Sequence, residues 1–125
     1  MIVDTNALSA FADGSSRAIA VLESVSEVLV PVIVLGEFRY GIMHSRRRRE
    51  YETWLEQYLP AFRVLEITAE TALEYAQLRS ELRHLGSPIP ANDIWIGALC
   101  RQHDLPLLSR DAHFDHVKRL RRQTW

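Results

Sequence analysis

The apolar positions of this chain fall into short β-branched runs separated by longer stretches of helical period. Ile2-Val3 predicts a buried central strand ending at Asp4-Thr5-Asn6. Residues 16–26 carry Ala18, Ile19, Val21, Leu22 and Val25 at helical spacing, with Ser15 or Ser16 as the cap. Val28-Leu29-Val30 predicts a second strand, stopped by Pro31. From Val32 to His44 the chain is almost wholly apolar except for Glu37 and Arg39, and its length favours a buried helix. Arg46 to Leu59 predicts another helix, with Tyr51, Trp54, Leu55 and Tyr58 on one face and Pro60 at its end. Val64-Leu65-Glu66-Ile67 reads as a third strand. Thr68 then caps a long helix striped by Tyr75, Leu78, Leu82 and Leu85 and stopped by Gly86. The loop Ser87-Pro88-Ile89-Pro90 introduces a helix from Ala91 to His103. Leu107-Leu108-Ser109 is a fourth strand, and residues 117–125 hold a candidate fifth, short edge strand.

Strands alternating with helices predict an α/β fold, a parallel sheet with helices on both faces. No internal repeat, linker or low-complexity segment divides the chain, so residues 1–125 read as one domain. Hydrophobic residues at 47% and charged residues at 25% are the mix of a soluble globular protein. Intrinsic disorder, collagen-like repeats and a disulfide scaffold are excluded. No apolar run approaches the roughly 20 residues of a membrane-spanning helix. The single cysteine, Cys100, lies among Ile94, Trp95, Ile96, Ala98 and Leu99 and reads as a buried, inert thiol, which fits a reducing compartment. Met1-Ile2-Val3-Asp4 shows no basic or cleavable leader, so the expected location is the cytoplasm.

Net charge is -1, from 15 basic and 16 acidic side chains, which gives no general affinity for nucleic acid. The distribution is bipolar. Arg46, Arg47, Arg48 and Arg49 form an unbroken basic run, and Lys118, Arg119, Arg121 and Arg122 cluster near the C-terminus. Glu50, Glu52, Glu56, Glu70, Glu74 and Glu81 lie on helix surfaces.

Four acids stand out from that surface charge. Asp4 and Asp111 each follow an apolar strand, and ligands of open α/β sheets bind outside the carboxyl ends of strands. Either alone is also a plausible turn or cap residue. Glu37 shares a helix face with Ile33, Val34, Tyr40, Gly41 and His44, where an unpaired carboxylate costs several kcal/mol or more. Asp93 sits in the first turn of the 91–103 helix, where the dipole favours a negative charge, yet Ile96, Gly97 and Cys100 share its face. If the four converge, unit charges about 4 Å apart repel by roughly 4 kcal/mol at an effective dielectric of 20. Protonation or a divalent cation must then relieve them. An all-oxygen set with open water positions suits Mg²⁺ or Mn²⁺, which can activate water for attack on a phosphodiester.

These residues resemble the PIN-domain family, the VapC-type toxins of bacterial toxin–antitoxin systems in particular. The matching segments are Ile2-Val3-Asp4-Thr5-Asn6, Val34-Leu35-Gly36-Glu37-Phe38-Arg39-Tyr40-Gly41, Ile89-Pro90-Ala91-Asn92-Asp93-Ile94-Trp95-Ile96-Gly97-Ala98 and Leu108-Ser109-Arg110-Asp111-Ala112-His113-Phe114. They span essentially the whole chain in the family's order. The resemblance implies a three-layer α/β/α sandwich with a mainly parallel central sheet, and a magnesium- or manganese-dependent endoribonuclease. It implies Asp4, Glu37, Asp93 and Asp111 as the catalytic, metal-holding quartet, with Asn6, Asn92 and Ser109 as supporting polar groups. Asp115 is able to share or replace the part of Asp111. It further implies an RNA substrate, a homodimer and a small VapB-type antitoxin whose C-terminal segment enters the groove.

The arginines at 46–49 are candidate contacts for RNA phosphates, against the plainer reading of a solvated helix start or a face for an acidic antitoxin. The basic cluster at 118–122 is read the same way. Trp54, Tyr51 and Tyr58 are able to stack bases, but an aromatic stripe at helical spacing more often packs. His113 and His116 read as structural hydrogen bonders, since metal-centred hydrolysis needs no histidine base. A non-cleaving RNA- or antitoxin-binding module of the same fold is the alternative function. A phosphohydrolase using Asp4 as nucleophile needs a second aspartate at position 6, where this chain has Asn6.

Overall fold

The computed structural model describes residues 1–125. β1 (Ile2–Val3) forms the middle of a five-stranded sheet of order β3-β2-β1-β4-β5, with β2 at Leu29–Pro31, β3 at Arg63–Leu65, β4 at Leu107–Leu108 and β5 at Arg122–Gln123. Every pairing is parallel: Ile2 lies opposite Leu29 and Leu107, Val30 opposite Val64, and Leu108 opposite Gln123. Inner parallel strands are covered on both faces, so their sequences are continuous apolar runs rather than alternating ones. Ile2, Val3, Val30, Leu107 and Leu108 are fully buried accordingly.

The helices are α1 (Thr5–Ala12), α2 (Ser16–Glu23), α3 (Val32–Met43), α4 (Arg48–Tyr58), α5 (Ala69–Leu85) and α6 (Ala91–His103). α3, α5 and α6 follow the apolar pattern of the sequence closely. Thr68 and Thr71 cap each other's backbone at the start of α5, and Gly86 closes it with φ of 65°. α6 lies tightly on α5: a Cβ on Gly97 would sit 3.0 Å from Leu78 Cδ2. Behind that contact Arg101, its side chain 1% exposed, meets Glu74 at 3.1 Å and Glu81 at 2.8 Å.

α1 has no counterpart among the elements that the apolar pattern predicts. Asp4 ends β1 and starts α1 at once: its carboxylate accepts the Thr5 amide at 2.7 Å, and its carbonyl accepts the Ala7 and Leu8 amides. The helix has eight residues, of which only Ala7 and Leu8 are buried, too few to show a period. Two boundaries also move. α4 begins at Arg48 rather than Arg46. β3 is centred earlier than Val64–Ile67, because the Arg63 amide already pairs with the Val28 carbonyl at 3.0 Å. The aromatic stripe of α4 packs inward. Trp54 lies 5.3 Å from Phe11, 5.8 Å from Phe38 and 5.1 Å from Tyr58, ring centre to ring centre.

From β1 the chain winds out to β2 and β3 on one side, then returns to β4 and β5 on the other. The order reverses between β1 and β4, and a crevice opens outside the carboxyl ends of strands at such a reversal.

Candidate active site

Asp4 stands at that reversal and is 3% exposed. A buried carboxylate needs donors, and this one has three. Thr5 N–H reaches Oδ1 at 2.7 Å, while Asn6 Nδ2 and Ser109 Oγ reach Oδ2 at 2.6 and 2.7 Å. Ser109 follows β4, so the first strand's acid is clamped by its neighbour. Asn6 also donates to Ser109 Oγ at 3.2 Å and accepts the Arg110 amide at 3.1 Å. The same serine oxygen accepts the Asp111 amide at 3.0 Å, which fixes the backbone carrying the second strand-end acid.

Glu37 comes in from the middle of α3. Thr5 Oγ1 donates to its Oε2 and Asn92 Nδ2 to its Oε1, the latter at 2.6 Å. No cation neutralises it. Asp93 enters from the first turn of α6, its side chain 14% exposed, with His113 Nε2 at 2.8 Å. His113 Nδ1 lies 3.8 Å from Asp111 Oδ1. Ligand atoms of Asp93, Asp111 and His113 all fall within 4.8 Å of one another.

The four acids feel each other. Burial pushes the Asp4 carboxyl above its usual range; the Ser109 and Thr5 hydrogen bonds oppose this, and the charges of Asp111 and Glu37 add to it. Burial likewise pushes Asp93 up to about 6, helped by the charge of Asp4 and opposed by His113. Groups raised by burial and by like charge are at ease only when protonated or when a cation joins them. The donor set is carboxylate oxygen with one imidazole nitrogen, chemistry that suits a small divalent metal.

Asp115 is elsewhere. It makes a two-pronged pair with Arg122, both distances 2.8 Å, and this guanidinium holds it below the usual carboxylate range. Arg122 also donates to the Ser109 carbonyl at 3.1 Å, so Asp115 reaches the site only through that arginine. In the basic run, Arg47 pairs with Glu50 at 3.0 Å and Arg48 with Glu52 at 2.7 Å. Arg46 and Arg49 are exposed and make no ion pair. Two residues that sequence reasoning did not assign to the site are found in it. Thr5 was legible only as part of Asp4-Thr5-Asn6, and His113 only as the neighbour of Phe114.

A three-layer α/β/α domain with four acids and their donors at the sheet's reversal is the class this architecture defines. The PIN domain model matches residues 1–120, and the chain belongs to that family. Toxin FitB of Neisseria gonorrhoeae is 31% identical over 122 residues, covering 90% of this chain and 88% of that protein. Ribonuclease VapC2 of Rickettsia felis is 23% identical over 129 residues, covering 99% and 96%. Among solved structures, FitAcB from Neisseria gonorrhoeae superposes with a TM-score of 0.83 at 28% identity, covering 97% of this chain and 94% of that one. VapBC2 from Rickettsia felis, bound to a promoter DNA fragment, superposes with a TM-score of 0.90 at 23% identity and 99% and 97% coverage, a likeness of fold.

Proposed function

We propose that this chain is an endoribonuclease, the toxin of a toxin–antitoxin pair, working with a divalent metal, Mg²⁺ or Mn²⁺. What supports the reading is that Asp4, Glu37, Asp93 and Asp111 neighbour one another, Asp4 and Asp93 raised by burial and by nearby carboxylates, at the edge where α/β sheets bind ligands. The relatives named Ribonuclease VapC2 and Toxin FitB support the substrate class and the biological setting.

Asp4, Asp93 and Asp111 would hold the metal, with Glu37 beside them. When bound, the metal lowers the pKa of a coordinated water and steadies the charge on the phosphate oxygens. The protein's own contribution is placement. Ser109, Asn6 and the Thr5 amide hold the Asp4 carboxyl group fixed in a buried spot. Asn92 and Thr5 aim Glu37, whose charge is then available to orient the attacking water and accept its proton. Arg46 and Arg49 are free to meet RNA phosphates or an acidic antitoxin segment. We extend the reading to a homodimer, because α3 leaves Val32, Tyr40 and Met43 exposed along one stripe. A VapB-type antitoxin is the expected inhibitor, and the cytoplasm, where RNA is met, the expected location.

The test is sequencing of RNA 5′ ends after brief induction, with Asp4→Ala as control, joined to cleavage by purified protein in Mg²⁺, Mn²⁺ or EDTA. Discrete new ends that need both Asp4 and the metal are expected. Absence of cleavage at any protein excess with Mn²⁺ overturns the reading in favour of a non-cutting binding module.

A further inference from the structure

We propose that Arg110, braced against the Trp125 indole, takes an RNA phosphate at the rim of the acid cluster. The inference rests on the reading of RNA as the substrate and deepens it by naming a group that holds the backbone. The register of the sheet brings the two residues together. β4 pairs with β5 so that Leu108 lies opposite Gln123, and the Ser109 amide donates to the Gln123 carbonyl at 2.9 Å. Two residues past that pairing, Arg110 and Trp125 leave the carboxyl ends of neighbouring strands side by side. Trp125 packs against the hydrophobic core, and Arg110 Cζ lies over its ring, 4.3 Å from the centre.

The backbone of Arg110 is fixed relative to the acids. Its amide donates to Asn6 Oδ1 at 3.1 Å. Ser109 before it donates to Asp4 Oδ2 at 2.7 Å, and the amide of Asp111 after it donates to Ser109 Oγ at 3.0 Å. The guanidinium itself is exposed and makes no hydrogen bond or ion pair, although carboxylates crowd this end of the sheet. Arg122, by contrast, is taken up by Asp115 and the Ser109 carbonyl. A guanidinium held by its face to an indole keeps its N–H edge open, and that edge matches two phosphate oxygens. Bracing also lowers the rotamer entropy lost when RNA arrives. A phosphodiester nearing four carboxylates meets like charge, which a cation at the rim offsets.

The experiment is fluorescence anisotropy of the full chain with a short labelled single-stranded RNA of mixed sequence, in Ca²⁺ and over a salt series. The proteins are wild type, Arg110→Ala, Arg110→Lys, Trp125→Ala, Trp125→Phe and, as a control that removes an equal charge from α2, Arg17→Ala. Arg110→Ala should weaken RNA binding by about tenfold or more and reduce the slope of log affinity against log salt by about 0.7, one phosphate contact on a single strand. Arg110→Lys should keep the slope and lose part of the affinity, because it keeps the charge without the fork. Trp125→Ala should weaken binding and Trp125→Phe restore most of it. Mn²⁺ affinity, read by calorimetry, should stay at the wild-type value throughout. Three results overturn the proposal: wild-type RNA affinity and slope in Arg110→Ala, an equal loss in Arg17→Ala, or Mn²⁺ affinity that falls together with RNA affinity. Binding of a glutamate-rich peptide that needs Arg110 while RNA binding does not also overturns it, in favour of a protein partner. If Trp125→Ala fails to fold, Trp125→Phe and the Arg110 variants decide. RNA cleavage in Mn²⁺ is scored separately. Arg110-dependent binding without any cleavage leaves this inference standing and removes the ribonuclease reading, whereas cleavage by Arg110→Ala at the wild-type kcat/KM does the reverse.

Discussion

Asn92 donates its side-chain amide to Glu37 Oε1 at 2.6 Å, joining the first turn of α6 to the middle of α3. Glu37 is the one acid of the four that a helix interior supplies, so its direction depends on Asn92 and on Thr5. Asn92→Ala should therefore lower RNA cleavage by about 10–100-fold, the usual cost of losing a partner that orients a catalytic group. Asn92 is exposed, so the melting temperature should hardly move. Asn92→Asp should do worse than Ala, because it sets a carboxylate against Glu37. Initial rates and thermal melts on the same preparations check both. Cleavage by Asn92→Ala at the wild-type rate removes Asn92 from any positioning role.

Asp93 makes stability depend on pH with a definite sign. Its folded-state value of about 6 lies above the ordinary 3.8. The folded protein thus holds this proton more tightly than the unfolded chain does. The contribution of Asp93 is fully present below pH 3.8 and is lost as pH rises through about 6. In EDTA at pH 7, Asp93→Asn should be more stable than wild type by about 2–3 kcal/mol, and the two should converge near pH 4. Adding Mn²⁺ should stabilise wild type and leave the variant behind, since only the intact site binds the ion tightly. Urea denaturation at stepped pH measures all of this. A destabilised Asp93→Asn at pH 7 contradicts the crowding of the four acids.

The acids were legible because each broke a local rule. Asp4 and Asp111 followed apolar strands, Asp93 opened a helix on its buried face, and Glu37 interrupted an apolar helix. The mainly parallel sheet was legible for a related reason: its inner strands are short apolar runs without alternation. What escaped depended on meetings between distant segments. Thr5 finds Glu37 thirty-two residues away, and its hydroxyl looks from sequence like a turn residue. His113 meets Asp93 across the gap between β4 and α6, and beside Phe114 it looks like a packing histidine. The choice between Asp111 and Asp115 was open because both lie on one short loop. The short 3₁₀ turn at 112–116 separates the two, sending Asp115 toward Arg122 on β5. α1 was hidden by its brevity, since eight residues with Thr5, Asn6 and Ser9 among them show no stripe.

Trp54 separates packing from RNA contact. It sits in a cluster with Phe11, Phe38 and Tyr58, ring centres 5.1 to 5.8 Å away. Trp54→Ala should cost about 3 kcal/mol of stability. At a temperature where the variant is folded, its affinity for RNA should equal that of wild type. A loss of RNA affinity larger than the change in folded fraction would restore Trp54 as a stacking platform. Fluorescence anisotropy with labelled RNA, alongside urea melts, distinguishes the outcomes.

Arg101 carries more of the desolvation cost of its network than the glutamates do. Its side chain is 1% exposed, while those of Glu74 and Glu81 are 22% and 38% exposed. The two sides of the network should therefore respond differently to mutation. In Arg101→Met the apolar chain refills much of the space and the glutamates turn to water, so the expected cost is about 1 kcal/mol. In the double variant Glu74→Gln with Glu81→Gln the guanidinium stays buried without a counter-charge, and the expected cost is about 3–5 kcal/mol. Acid should act in the same direction as the double variant. Arg101 holds the Glu81 carboxyl below its ordinary value of 4.5, so the stability it lends is present above that pH and is lost as pH falls through the depressed value. Wild type should thus lose stability toward low pH by a step that Arg101→Met lacks. The observation against this account is an Arg101→Met protein less stable than the double glutamine variant, which would mean that α5 and α6 depend on the ion pairs themselves rather than on avoiding a stranded charge.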